Sequence, residues 1–347
     1  PLRSRSRGPE RDLRRGVVSA GHDFRHDPVM LDEIVSAFAA VPPGTVVDAT
    51  LGAGGHAGAL LDSRADIDVL GIDRDPAALV AATQRLAAQA DRLRTSHRRF
   101  DDLRGALGEH GVEGISGALF DLGVSSPQLD QGDRGFSYRN DGPLDMRMDT
   151  EQGWSATDVV NGYAETDLRR VIAEYGGERF AARIARAICE ARPVESTADL
   201  AAVVTAAIPA ATRRRGGHPA TRTFQALRIE VNQELEILPR ALDSAVEATV
   251  PGGRIAVLAY HSGEDRIVKE QFALAAGACD CPPGLPCVCD AVQTVRLVRG
   301  VPKKASTVEQ ERNPRASSVR LRVVEKIEPV RKRDGRPVAL LTSEEDR

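Results

Sequence analysis

The ten residues DLGVSSPQLD, Asp121 to Asp130, follow a short apolar run and bring together a carboxylate, two hydroxyls, a proline and an amide. Carboxylates and hydroxyls accept hydrogen bonds and an amide both donates and accepts, so such a stretch could hold a polar ligand where a strand ends. The plain alternative is a strand closing in a turn, with the hydroxyls spent on local backbone groups. A second stretch, DATLGAGGHAG, sets Gly52, Gly54 and Gly55 where a β-branched run gives way to a helical one. Glycines let the chain turn sharply and let a ligand approach the backbone, and the following helix N-terminus favours electron-rich groups.

Gly52 to Ala57 satisfies G-x-G-x-x-A, and Asp73, nineteen residues past Gly54, could accept hydrogen bonds from ribose hydroxyls at the end of the next strand. This pattern points to an adenosine-containing cofactor and leaves NAD and S-adenosylmethionine both open. The Ser-Ser-Pro-Gln run is similar to the loop by which amino methyltransferases receive an exocyclic amine. The lone pair of such an amine is delocalised into the ring, so acceptors aimed at its two protons are needed to hold the nitrogen in line with an electrophilic methyl group. Ser125, Ser126 and the Pro127 carbonyl are the candidate acceptors. No strong base is required, because the proton becomes acidic as the N–C bond forms.

Alternating strand and helix signals supply the frame for these groups. GTVVDATL (44–51) and DVLGIDRD (68–75) read as strands, PAALVAATQRLAAQ as a helix with Pro76 in its first turn, and GISGALFDLG (114–123) as a buried strand. That succession predicts an α/β fold whose parallel sheet is covered by helices on both faces. The alternation then lapses. Phe180, Ile184 and Ile188, and later Phe224, Leu227, Val231, Leu235 and Leu238, recur at helical spacing with no strand between them, which predicts a helical insertion over 135–228. GGRIAVLAY (252–260), a helix at EDRIVKEQFALA and a last strand at 317–326 complete the sheet domain, which therefore comprises 23–134 and 229–326. Residues 1–22 and 327–347 lack periodicity and read as a disordered basic arm and a disordered tail.

The 347 residues carry a net charge of −3, against wholesale polyanion binding, but the segment from Ala211 to Ile229 holds five arginines and no acid. No apolar run approaches the roughly eighteen residues of a membrane helix and no signal peptide is evident, so the expectation is a cytoplasmic protein with no membrane association. Cys279, Cys281, Cys287 and Cys289 form two C-x-C pairs, open to zinc or to reduced thiols in a loop; Cys189 fits a helical core.

The ordered run HDPVMLDEIV, DATLGAGGHAG, GIDRDPAAL, DLGVSSPQLDQGDRGFSYRNDGPLDMRMD, GGERFAARIARAI, HPATRTFQALRIEVNQELE, GGRIAVLAYHSGEDRIVK and NPRASSVRLR resembles the bacterial ribosomal RNA small subunit methyltransferase H family, from His26 to about Lys326. The resemblance implies a Rossmann-like S-adenosylmethionine-dependent methyltransferase domain with an inserted helical domain. It implies methyl transfer to the N4 amine of one cytosine in the decoding region of 16S rRNA in the small ribosomal subunit. By motif match Gly54, Gly55 and His56 form the cofactor loop, Asp73 binds ribose, Phe100 contacts adenine, and Asp121 and Gln128 complete the cofactor set. Each has a plainer alternative: Asp73 could cap the helix starting at Pro76, Phe100 could be ordinary core, and His56 could merely orient its loop. Asp121 beside a sulfonium is expected to stay ionised.

Arg222 and Arg228, in the acid-free segment, are candidate rRNA contacts, as are the stripe Arg179, Arg183, Arg186, the run Arg213 to Arg215, and the segments DGPLDMRMD and YHSGEDR. Two positions depart from the family pattern: Gly263 replaces a leucine, and Ser317 stands where a further arginine is common. The competing classes are an NAD(P)-dependent oxidoreductase, which leaves SSPQ unexplained and lacks an evident catalytic pair, and a non-catalytic assembly factor.

Overall fold

A computed structural model of the chain describes residues 28–151, 153–213, 217–278, 281 and 291–331, and excludes the side chains of Ser126, Pro127, Arg213 and Arg331. The expected N-terminal arm, most of the cysteine loop and the far C-terminal tail lie outside the described residues.

Seven strands form one sheet in the order β3-β2-β1-β4-β5-β7-β6. They are β1 (Gly44–Asp48), β2 (Ile67–Asp73), β3 (Leu93–His97), β4 (Ile115–Asp121), β5 (Thr249–Ala259), β6 (Val292–Leu297) and β7 (Arg320–Arg331). The first five are parallel, while β7 runs antiparallel between β5 and β6. The sheet is flanked by α1 (Leu31–Phe38), α2 (Gly55–Ser63), α3 (Pro76–Arg85) and α4 (Leu103–Glu109), followed by the short α5 (Ser126–Asp130). Central strands β1 and β4 are largely buried because both faces are covered: Val47, Phe120 and Ile255 pack with Leu238 and Phe272, whereas Val46 and Leu119 pack with Phe38 and Leu321. The five parallel strands are the α/β layering that the alternating pattern predicts, and the whole is the Rossmann-like arrangement that the family resemblance implies.

A run of helices separates β4 from β5: α6 (Ala156–Gly162), α7 (Glu165–Glu174), α8 (Ala181–Ala191), α9 (Thr197–Ala207), α10 (Ala210–Arg213) and α11 (Thr221–Asn232). They bury their own core, including Leu168, Ile184, Ile188, Leu200 and Phe224. The expected boundary at Arg228 falls inside α11. The continuous helical periodicity through Leu238 is broken at Gln233, whose φ of 54° starts α12 (Glu234–Ala248) on a new axis. Leu227 therefore belongs to the helical core and Leu238 to the sheet core.

The fold continues through α13 (Ser262–Ala275) and α14 (Thr307–Arg312). β7 runs past the expected end at Lys326, pairing Val330 with Gln293 and Arg331 with Val292, so residues 327–331 are strand, not tail. Strands β3 and β6 were not expected from the sequence. Both are edges with little buried surface, and their polar composition (LRTSH in β3) lacks the apolar signal that marks β1 and β4.

Candidate cofactor and substrate site

The site is built at the carboxyl edge of β2, β1 and β4, three neighbouring strands. Asp73 and Asp121 are the last residues of β2 and β4, and Asp48 is the last of β1, paired with Gly71 and Leu119. Asp48 is almost completely buried. The sequence reading passed over it, although a carboxylate immediately before the glycine turn was a visible signal.

The glycine turn is stitched to both neighbours: Leu51 N donates to Ile72 O, Ala49 N to Leu119 O, and Asp121 N to Thr50 Oγ1 at 2.6 Å. Gly52 and Gly54 have φ of 52° and 74°, which only glycine adopts without strain. Gly55 begins α2. A Cβ on Gly52 would meet nothing closer than 3.9 Å, so the turn is open on that side.

Asp73 accepts from Gly52 N (2.8 Å) on Oδ2 and from Asp75 N (2.9 Å) on Oδ1. Each oxygen keeps a lone pair for a further donor, as two ribose hydroxyls require. The helix-cap alternative belongs instead to Asp75, whose Oδ1 accepts from Ala77 N at 3.0 Å. Phe100, just past β3, packs edge-on to Phe120 with centroids 6.1 Å apart.

His56 is buried, with Nε2 3.0 Å from Val29 O and Nδ1 3.5 Å from Asp121 Oδ2. A carbonyl only accepts, so Nε2 carries a proton toward Val29 O, and Nδ1 faces the Asp121 carboxyl. Tyr260, at the end of β5, donates its hydroxyl to Asp121 Oδ1 at 2.6 Å. Burial lifts the Asp121 carboxyl above its ordinary range, against the pull of His56 and the Tyr260 hydroxyl. Burial likewise raises Asp73 against the Asp75 and Gly52 amides, and pushes Asp48 up to about 7, with Thr50 N opposing and Asp121 and Asp73 adding repulsion. The expectation that Asp121 stays ionised beside a sulfonium concerns the cofactor-bound protein, where a cation opposes the effect of burial. Three carboxylates that burial holds up at one sheet edge are matched by a ligand carrying positive charge, which lowers all three again. Hydroxyl-bearing ribose at Asp73 and a cationic sulfonium and ammonium near Asp48 and Asp121 fit this donor set; a nicotinamide dinucleotide, with two phosphates, does not.

The stretch that follows β4 is not irregular, since Ser126 to Asp130 form α5, with Pro127 in the first turn where its missing N–H is harmless. The side chains of Ser126 and Pro127 lie outside the described residues. Gln128 is buried and engaged at both ends: Oε1 accepts from Ser125 N (3.1 Å) and Nε2 donates to Asp75 Oδ2 (3.0 Å). The same Asp75 oxygen meets Arg134 Nη1 at 2.9 Å, while Arg134 Nη2 donates to Arg147 O and Met148 O. One buried carboxylate thereby joins the cofactor edge, the Ser125 turn and the segment DGPLDMRMD. Neither Asp75 nor Arg134 was singled out from the sequence.

The candidate rRNA arginines divide. Arg222 is exposed and donates to Gly177 O at 3.1 Å. Arg228 is not a free surface cation: its Nε and Nη2 form a bidentate pair with Glu234 at 2.8 and 2.9 Å, and both side chains are largely buried. Arg179, Arg183 and Arg186 are exposed. Arg213 is described only in its backbone, and Arg214 and Arg215 lie outside the described residues.

In YHSGEDR, Glu264 Oε2 accepts from Tyr260 N and His261 N, closing a capping box on α13. A Cβ on Gly263 would lie 3.1 Å from His261 Nδ1 and 3.3 Å from Leu235, so this glycine admits a closer His261 than a leucine would. Ser317 donates to Pro314 O, ending the turn before β7. Cys281 is described, whereas Cys279, Cys287 and Cys289 lie outside the described residues, among which no metal-ligating cluster occurs. No helix among them is long and apolar enough to cross a membrane.

A cavity of about 910 Å³ beside the cofactor edge lies between the sheet domain and the helical unit, bordered by Arg74, Arg99, Arg147, Trp154, Tyr163 and Arg170. Most of its charges are already met: Arg99 by Asp101, Arg147 by Asp145, and Arg170 by Glu230 and Glu174.

Known proteins resemble this chain over most of its length. A protein of Mycobacterium sp. (strain KMS) called ribosomal RNA small subunit methyltransferase H is 50% identical over 328 residues, covering 92% of this chain and 88% of its own. One of the same name from Geobacter sp. (strain M21) is 49% identical over 88% of this chain and 99% of its own, and one from Thermobifida fusca is 50% identical over 87% and 93%. Residues 23–327 match the model of the MraW methylase family, and the chain belongs to that family.

Proposed function

We propose that the protein transfers a methyl group from S-adenosylmethionine to the exocyclic N4 amine of a cytosine in 16S rRNA of the small ribosomal subunit. The observation that carries this reading is the set of three carboxylates around an open glycine turn, one of which, Asp121, ends the strand that leads into the Ser125 turn. The relatives' shared name supports the ribosomal substrate. Asp73 would hold the ribose, Phe100 the adenine, and Gly54, Gly55 and His56 the loop against the methionine portion. The cofactor supplies an electrophilic methyl on a positively charged sulfur. Everything else falls to the chain.

Asp121, held by Tyr260 and His56, provides negative charge near that sulfur. Ser125, its amide fixed by Gln128, offers a hydroxyl for one amine proton; Ser126 and the Pro127 carbonyl complete the acceptor set. Positioning the amine in this way raises the rate without a dedicated base. The helical unit, with exposed Arg222 and the Arg179, Arg183, Arg186 stripe, is the RNA-recognising part, and the setting is the cytoplasm, where subunits assemble.

The test is labelled S-adenosylmethionine with unmodified small subunits, free rRNA and tRNA, followed by nucleoside analysis. Label in N4-methylcytidine from the small subunit or its rRNA is expected. Label on carbon 5 or ribose would refute the amine chemistry, and label on tRNA alone would refute the substrate.

A further inference from the structure

We propose that the Tyr138–His218 stack is a docking platform for an unpaired rRNA base, outside the methyl-transfer site. The inference rests on the reading of rRNA as substrate and specifies where a flanking nucleotide lands.

The two rings lie parallel, with centroids 4.2 Å apart and planes 10° from each other. They come from segments 80 residues apart, the loop after α5 and the turn before α11. Beneath them Tyr138 packs edge-on against buried Phe224, centroids 5.7 Å apart, so the stack is anchored in the helical core. Thr221 Oγ1 donates to His218 O at 2.8 Å and accepts from the Tyr138 hydroxyl at 3.2 Å, and Ala220 N donates to His218 Nδ1 at 3.2 Å, fixing both rings in azimuth. His218 is exposed and forms the outer layer. An aromatic stack held rigid at the surface needs no reorganisation to receive another flat ring, and every base presents a π-face.

The surroundings favour a polyanion. Arg139 is exposed, its guanidinium 6.0 Å from the Tyr138 centroid, and Arg222 is exposed one residue past Thr221, its side chain bound to a carbonyl and not to a carboxylate. His218 itself sits in the acid-free stretch from Ala211 to Ile229. Cations flanking a stacking face are the combination that single-stranded nucleic acid uses, the phosphates meeting arginines while the base covers the ring. The platform is also tied to the substrate turn, because Asn140 Nδ2 donates to Asp130 O at the end of α5. A strand crossing His218 can thus continue toward Ser125.

The test measures binding of unmodified small subunits at fixed salt, separately from methyl transfer, for wild type, His218→Ala, His218→Phe and Arg139→Gln. His218→Ala should bind about tenfold more weakly, as loss of one stacked base predicts. His218→Phe should restore binding because it keeps a ring. Arg139→Gln should weaken binding and reduce the salt slope by about one. S-adenosylmethionine affinity and the thermal transition should be unchanged in all three. Photo-crosslinking of wild type to 4-thiouridine-substituted subunits should recover a peptide containing Tyr138 or His218, a readout independent of how the variants fold. Wild-type binding in His218→Ala, an equal loss in His218→Phe, or crosslinks confined to other peptides would overturn the platform. Wild type that binds through His218 yet transfers no methyl would refute the proposed reaction and leave the platform standing; wild type that binds neither subunits nor their free rRNA refutes both.

Discussion

Replacing Arg228 with methionine should unfold the protein more readily and should do so without a specific loss of RNA affinity. Arg228 forms a two-point ion pair with Glu234, the side chains being 15% and 8% exposed. Its charge also reaches Glu264, which is 2% exposed. Methionine fills the volume but leaves the buried Glu234 carboxylate without its cation and removes one of the charges near Glu264, a change that typically costs about 3–5 kcal/mol. At ~2–4 °C per kcal/mol for a large domain, the midpoint should fall by roughly 10 °C. The double variant Arg228→Met/Glu234→Leu removes the stranded charge with its partner and should recover most of that loss. Acidification should narrow the gap between Arg228→Met and wild type, because a buried carboxyl without a cation is favoured in its neutral form. Thermal unfolding followed by circular dichroism near pH 7 and near pH 5, alongside subunit binding at several salt concentrations, supplies the measurements. The reasoning fails if Arg228→Met melts with the wild type and binds subunits with a shallower salt dependence, since Arg228 would then be a phosphate contact.

Asp48, lifted by burial to about 7, has a folded value above its unfolded one. Its contribution to stability is therefore complete below the unfolded value of 3.8 and is lost as pH rises through about 7. Asp48→Asn should flatten this decline in denaturant titrations, and calorimetry should find that S-adenosylmethionine affinity no longer strengthens between about pH 6 and 8. Glu264 behaves oppositely: although burial opposes it, the His261 contact, Arg228 and the Tyr260 amide hold its carboxyl below the ordinary range. The stability it lends is present above the unfolded value and disappears as pH falls through the folded one, so Glu264→Gln should lose stability at neutral pH and less in acid. Asp75→Asn keeps the shape but weakens the hold on Gln128 and Arg134, and should lower kcat by about 10- to 100-fold through a misplaced Ser125 turn, with S-adenosylmethionine affinity nearly unchanged; an equal loss in both would mean Asp75 serves the cofactor. Tyr260→Phe removes a donor to a charged acceptor, and calorimetry should show cofactor binding weaker by about 1.5–3 kcal/mol.

Local pattern alone determined the βα alternation, the glycine turn and the carboxylates Asp73 and Asp121 that end their strands, because strand burial and turn chemistry depend on residues adjacent in the chain. It likewise marked the helical run between β4 and β5 through its apolar spacing. The tertiary structure decided which groups meet. Charge type is identical for a solvated arginine and a buried one, so only the packing of α11 against the start of α12 distinguishes Arg228 from Arg222. Gln128 was legible as polar, but its bond to Asp75 spans 53 residues and exists because β1 lies between β2 and β4. Edge strands β3 and β6 bury too little surface to leave an apolar signature, and β7 is prolonged by pairing with one of them. Sequence periodicity reports how much of a segment is buried; the identity of the partner across the interface is set by the fold.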